Sequence, residues 1–521
     1  MQELSKTVSG IRLERSLLHR LVLALRSMAS RNAESASPMQ LWNPESPVRL
    51  LWVQPGVFDP VRRKLIHRLG KGKPMLGGIK VNSLAYLASL TPGWVAQAMV
   101  DDNLEEIDYD KIEHLNINLA AISAMTMFVP RAYEIAGELR KRGIKTILGG
   151  PHATLCPDEA GRHVDTVVVG EAENVWAKVL EDFQKDCMKT IYRSDGFVSP
   201  ERLKPPDSRI LLHQPFGVES VQATRGCPHS CNFCCVTLLF GRKLRRRPVE
   251  DVLAQVRKIH ARHLNVIFTD DNILGNRNYA IDLFKGLIDI QTETGKELLW
   301  SAQSTLLMAE DEEILELASK SGCRSLYIGF ESLSHDALAK AKKGHNSPDR
   351  YRNAIETLRK YSIGVVASVM LGLPGEDRKS SEAMFRLLLD EDVRLIYYYI
   401  LTPFPRTGLR RELEEQNLIT NPDRWEYYDT LHANFNPPST LEGSALTAGE
   451  LEQTIWRYYD TFYSYRYIAR RLIRNFWSEF RPAKGQNIAF RRALRGSVGD
   501  LYFSLVSRLL VKHRIHPFET A

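Results

Sequence analysis

A chain of 521 residues is too long for one hydrophobic core and predicts two or three domains with extensions. Apolar content of 44% and charged content of 25% are those of an ordinary globular protein, and no uncharged apolar run approaches the roughly 18 residues of a membrane span. The net charge of +8 is unevenly placed: between Arg457 and Arg514 thirteen lysines and arginines face only Asp460, Glu479 and Asp500, so the basic character belongs to the C-terminal segment and not to the body of the chain.

Residues 1–46 predict an extension. Acids and arginines interrupt its apolar positions, and it has no secretion-signal core, so the expected compartment is the cytoplasm. From Val48 the pattern changes. VRLLWVQP, WVAQAMVDDN, LAAISAMT, IKTILGGP and VDTVVVGE are strand candidates, separated by helical stretches such as Pro130–Arg142. Strands alternating with helices imply a parallel sheet covered on both faces, so residues 48–190 read as a doubly wound, Rossmann-like domain. Its ligand is expected beyond the carboxyl ends of the strands, where Ser123, Met125 and Thr126, then Gly149, Gly150 and Pro151, then Gly170 and Glu171 fall. Residues 191–216, rich in proline and weakly periodic, read as a linker.

A second alternating series occupies 217–405, with strands VESVQAT, LNVIFTDDN, LLWSAQS, SLYIGFES, GVVASVMLG and RLIYYYILTP. Six strand–helix units predict a partial or complete TIM-type barrel, with its chemistry on the loops after the strands. Polar residues stand there: Asp270, Asp271 and Asn272, then Gln303 and Ser304, then Glu331, then Gly372 at a strand end. Each acid or amide also suits a helix cap. Residues 406–521 predict helices with aromatic and basic faces.

Seven cysteines, four of them within nine positions, do not form a disulfide framework. TRGCPHSCNFCC at 224–235 follows the first barrel strand, so its sulfurs sit on a loop. Thiolates suit iron–sulfur clusters and zinc. Cys227, Cys231 and Cys234 leave a cubane one ligand short, as a catalytic cluster requires. A structural zinc site would need a fourth ligand, which His229 or Cys235 could supply. Cys323 reads as a core residue.

Cys227-x3-Cys231-x2-Cys234, with Phe233 before the last cysteine, resembles the signature of the radical S-adenosylmethionine (SAM) enzymes. The resemblance implies a 4Fe–4S cluster on these three cysteines and SAM on its open iron, cleaved to a 5′-deoxyadenosyl radical. It further implies SAM contacts from Phe233, Asp270, Asp271, Asn272, Gln303, Ser304, Glu331 and Gly372, and an electron donor such as flavodoxin or ferredoxin. The preceding sheet domain, with LAAISAMT, ILGGPHAT and VVVGEAE, resembles that of the cobalamin-binding members. This implies cobalamin over Ser123, Met125, Thr126, Gly149, Gly150, Pro151, Gly170 and Glu171. The lower-ligand motif Asp-x-His-x-x-Gly is absent, His67 lying too far along the loop. The implied fold is an α/β chain: a cobalamin-binding-type domain, a (β/α)6 barrel and a mainly helical C-terminal region.

The implied activity is methylation of an unactivated carbon of a small or lipophilic metabolite, with cyclisation or oxidation of a lipid or tetrapyrrole-like substrate as the alternative. The similar transfer-RNA methylthiotransferases carry three more cysteines in the N-terminal domain, where only Cys156 and Cys187 occur, which argues against a nucleic-acid substrate. The arginine- and aromatic-rich C-terminal segment admits three readings: a packed helical subdomain with a solvated basic face, a peripheral contact with anionic lipid at the inner face of the membrane, and a nucleic-acid surface.

Overall fold

The computed structural model describes residues 43–70, 83–203, 205–206, 218–262, 264–437, 446–480, 490–512 and 514. The N-terminal extension up to residue 42, the segment 207–217 and the chain end from 515 lie outside the described residues.

The first sheet contains β1 (Val48–Gln54), β2 (Val95–Asp101), β3 (Leu119–Ser123), β4 (Lys145–Gly149), β5 (Thr166–Val169) and β6 (Ile191–Arg193), all parallel, in the order β2-β1-β3-β4-β5-β6. Alternate residues of the central strands feed two cores. Leu51, Val53, Ala120 and Ile122 pack on one face, and Leu50, Trp52, Leu119 and Ala121 on the other. That is why these strands read as nearly continuous apolar runs. The chain reverses its winding between β1 and β3, which places the ligand crevice at their carboxyl ends. Strand β6 lies in the stretch read from sequence as linker. Three residues at a sheet edge are too few for any period to show.

The second sheet is also all parallel. Its strands are β7 (Val218–Val221), β10 (Asn265–Phe268), β11 (Trp300–Ser304), β12 (Cys323–Glu331), β13 (Gly364–Leu371) and β14 (Leu395–Ile400), each paired with its sequence neighbour in the sheet. Between β7 and β10 a small antiparallel ribbon, β8 (Thr224–Arg225) with β9 (Arg245–Arg246), closes the cysteine loop at its base. β7 and β14 are the free ends, so the barrel is open. Phe268, Trp300, Ala302, Leu326, Ile328, Phe330, Ala367, Val369 and Tyr398 pack outward into the core shared with the helices. Alternation then turns Ser301, Gln303, Tyr327, Ser368, Met370, Tyr397 and Tyr399 toward the barrel interior.

The edge of β14 is covered by the helix Ala448–Phe462. The Tyr459 phenol accepts the Tyr398 N–H (2.9 Å) and donates to the Tyr398 carbonyl (3.0 Å), taking the place of a neighbouring strand. Several of the described basic side chains of the C-terminal helices are paired within the molecule. Arg470 and Arg474 bind Asp392, Arg457 binds Glu382, Arg514 binds Asp460, and Asp500 receives Arg324 and Arg394. Arg471 is buried and donates to the Phe462 carbonyl. Among the described residues no helix is long and apolar enough to cross a membrane.

Candidate active site

The loop after β7 begins with Gly226 at φ +95°. A Cβ there would lie 2.7 Å from the Lys243 carbonyl oxygen and 3.1 Å from that of Gly241, so only glycine passes. The Cys227 N–H then donates to the Gly241 carbonyl (3.3 Å), and a turn brings the Cys234 N–H to the Cys231 carbonyl (3.2 Å). Asn232, between them, ties the loop to the rest of the barrel mouth. Its N–H donates to the Ala341 carbonyl (3.2 Å), and its own carbonyl accepts the Leu409 N–H (3.0 Å).

Cys227, Cys231, Cys234 and Cys235 are all unbridged and partly buried, and Cys323 is in the core as expected. Burial raises the Cys227, Cys231 and Cys235 thiols and pushes Cys234 up to about 12. Free thiolates are therefore disfavoured here, and a bound metal would supply the charge that ionises them. A cubane offers a separate iron corner to each sulfur, and three soft donors on a loop closed by a ribbon fit it.

The polar strand ends divide. Asp271 receives the Gly226 N–H and acts electrostatically on Cys227, Cys234 and Cys235, so it faces the cluster loop. Burial pushes its carboxyl up to about 6. Asp270 is fully buried and also raised to about 6 by burial. It accepts the Thr224 hydroxyl (2.6 Å) and the Ala223 N–H (3.1 Å), joining β10 to the start of the ribbon. Asn272 accepts the Leu274 N–H and turns the chain. Gln303 is exposed at the barrel mouth, while Ser304 is buried and contacts the Met308 sulfur. Phe233 belongs to the barrel core.

Glu331 stands at φ +63°, where the β12–β13 register shifts, a backbone state that non-glycine residues rarely hold. The carbonyls of this bulge are held by Asn346 and by the Tyr351 hydroxyl. Lys343, not singled out from sequence, donates to the Glu331 carboxylate and also acts on Cys227 and Cys231. The Glu331–Lys343 pair thus borders the cluster loop. The rings of His229, on that loop, and His345 stack at 3.9 Å.

Glu376 was also not foreseen. It accepts the Ser332 hydroxyl (2.8 Å) and the Gly372 N–H (3.0 Å), clamping the ends of β12 and β13. Burial pushes its carboxyl up to about 8. A carboxyl raised in the folded state contributes most below its unfolded value of 4.5 and loses that contribution as pH climbs toward 8. Urea titrations at pH 5.5, 7 and 8.5 should show wild-type stability falling with pH by up to ~1.4 kcal/mol per unit from this group. Glu376→Gln should lack that slope.

At the first sheet, Met125 is 41% exposed at the end of β3. Pro151 is half-buried where β4 gives way to a helix, and Gly149 has no neighbour nearer than ordinary contact. These fit a broad apolar ligand resting on the strand ends. Ser123 and Thr126 are buried; a Cβ on Gly150, at φ +92°, would press on Ser123 and Ala124, so its glycine serves the loop itself. Gly170 lies close to Ser194. Glu171, grouped with the ligand contacts by sequence, turns instead into the domain junction, where Arg245 and the Val198 N–H occupy both its oxygens. His67 is buried and its ring N–H donates to the Asp102 carbonyl (2.8 Å).

Residues 91–180 match the B12 binding domain and residues 221–388 the Radical SAM superfamily, in the order of the two sheets. Bacteriochlorophyllide d C-8(2)-methyltransferase of Chlorobaculum tepidum is 30% identical over 371 residues, covering 67% of this chain and 79% of the relative. The hopanoid C-2 methylase of Rhodopseudomonas palustris is 25% identical, covering 66% of each. The fold is also that of TsrM, a radical SAM methyltransferase from Kitasatospora setae, at a TM-score of 0.58 and 17% identity over 71% of this chain and 76% of that one. Three loop cysteines at the mouth of an open barrel, preceded by a doubly wound sheet and matched in that order by relatives across most of its length, place this chain in the radical S-adenosylmethionine enzyme family that carries a B12-binding domain.

Proposed function

We propose that this enzyme methylates an unactivated carbon of a lipophilic, ring-built metabolite of tetrapyrrole or polycyclic isoprenoid type. The observation that carries the reading is the aromatic half of the barrel interior. Tyr327, Tyr397 and Tyr399 stand together there, with the Tyr327 hydroxyl donating to that of Tyr399 (3.0 Å) and the Tyr397 ring 5.9 Å from Tyr327. Met370 and Ser368 lie beside them on β13. Such a wall contacts flat or polycyclic apolar surface, and the opposite wall, with Ser301 and Gln303, is left for a polar co-substrate. The bacteriochlorophyllide and hopanoid methylases among the relatives act on molecules of that kind by name.

When bound, the cluster with SAM supplies a hydrogen-abstracting radical, and cobalamin supplies a methyl carrier. The protein's part is to hold and exclude. Cys227, Cys231 and Cys234 bind iron, Asp271 and the Glu331–Lys343 pair fix charge beside them, and the tyrosine wall keeps water from the reacting carbon. An acidic flavodoxin- or ferredoxin-type donor suits the exposed Arg242, Lys243 and Lys342 that surround the loop. The helix Tyr465–Phe480, with Ile473 62% and Trp477 56% exposed near Arg466, is our candidate for contact with the membrane that stores such substrates.

The test is anaerobic incubation of the reconstituted enzyme with SAM labelled with deuterium in its methyl group and a solvent extract of host-cell lipids and pigments. A labelled methyl in that extract, with 5′-deoxyadenosine and S-adenosylhomocysteine formed in equal amounts, is expected. 5′-Deoxyadenosine without S-adenosylhomocysteine would replace methylation by cyclisation or oxidation.

A further inference from the structure

Arg225 and Arg245 are direct partners across the two-stranded ribbon that closes the cysteine loop. Like charges facing each other on neighbouring strands oppose pairing, and this ribbon is only two residues long on each side. The charge that makes it tenable comes from the other domain. Glu171, just past the end of β5, takes the Arg245 guanidinium through both oxygens (2.6 and 2.7 Å) and lies 3.5 Å from Arg225. Glu173 takes the other end of Arg225 at 2.7 Å. All four side chains are nine-tenths or more buried. Arg245 also donates to the Val198 carbonyl (2.8 Å) and the Phe240 carbonyl (3.0 Å), so one guanidinium joins the first sheet, the segment after β6 and the end of the cysteine loop.

We propose that Glu171, Glu173, Arg225 and Arg245 form a latch that fixes the cysteine loop to the strand ends of the B12-binding domain, so that the ribbon pairs fully only when the two domains are docked. Arg225 is two residues before Cys227, and Glu171 adjoins Gly170 at the ligand edge of the first sheet. The latch therefore sets the spacing between the two cofactor sites. Its members are positioning residues; none is asked to touch a substrate. The bidentate fork carries the geometric demand, because a planar guanidinium on a carboxylate fixes orientation as well as distance. The inference rests on both cofactor sites lying where the preceding sections place them, but the exchange measurement reads the latch without a reaction.

Hydrogen exchange on the full-length protein tests it. Glu171→Gln and Arg245→Gln should each speed amide exchange across 224–246 at least about tenfold, since the ribbon's opposed arginines or its bridge are left uncompensated, while β1, β3 and β4 keep wild-type protection. The double change Glu171→Gln with Arg245→Gln removes the same bridge as either single change and should speed exchange across 224–246 no more than the faster of the two. In reconstituted protein, the magnetic interaction between the reduced cluster and cob(II)alamin should change in Glu171→Gln. Unchanged exchange at 224–246 in Glu171→Gln, or a double variant in which the two effects simply add, overturns the proposal. Should Glu171→Gln not fold, Glu173→Gln removes only the outer partner of Arg225. It should speed exchange at 224–227 by a smaller factor, and no change there would equally overturn it.

Discussion

Alanine at Cys231 will stop the cleavage of SAM: 5′-deoxyadenosine formation under reducing, anaerobic conditions should fall by at least about a thousandfold, equivalent to ~4 kcal/mol of lost barrier lowering. The reason is the donor count. The loop offers three motif thiols, and a cubane deprived of one is left with two iron corners unprotected by protein sulfur. The fold should survive, because Cys231 only flanks the barrel core that Phe233 enters. Cys235→Ala is the informative partner. A zinc site with Cys235 as its fourth ligand would lose its metal equally in both variants, and one completed by His229 would keep zinc without sulfide in Cys235→Ala, whereas a three-cysteine cluster keeps its iron and sulfide in Cys235→Ala and loses them in Cys231→Ala. Iron and sulfide counts with the visible spectrum decide between these outcomes.

Gly226→Ala should be almost as damaging for a purely steric reason. The methyl would meet the backbone carbonyls of Lys243 and Gly241, and neither can move without opening the ribbon or losing the Cys227 N–H bond to Gly241. A positive φ for alanine together with that collision is worth roughly 2–4 kcal/mol of local strain. Iron bound per chain should fall to less than half while the melting of the first domain is unchanged. Gly137→Ala is the contrast. It lies in the helix Val129–Lys141 with nothing within 4 Å of the new methyl, and should be neutral or stabilising by about 0.5–1 kcal/mol.

The two parallel sheets were legible because apolar runs such as VRLLWVQ and GVVASVML are buried on both faces and leave a simple signal. The cluster loop was legible because three thiols at that spacing have few other uses. What stayed hidden was the partnering of charges. Lys343 lies twelve residues from Glu331, and its role depends on a bulge at Glu331 that no periodicity announces. Glu376 follows a Pro–Gly turn that reads as an ordinary loop. Glu171 illustrates the opposite error. Its place at a strand end pointed to a ligand, yet the end of β5 meets the barrel, and only the fold brings Arg245, 74 positions away, to its carboxylate. The C-terminal arginines show the same limit, since only the fold sets Asp392 against Arg470 and Arg474.

Tyr459 binds its helix to the catalytic half of the molecule more closely than chain order suggests. A chain stopped just after Ile400 would expose Tyr398 and its neighbours as an unguarded border, ready to stitch onto another copy. The helix Ala448–Phe462 is thus no optional appendage: any shortened version made for crystallography or for building chimaeras has to retain that phenol, or expect filaments and precipitate in place of enzyme.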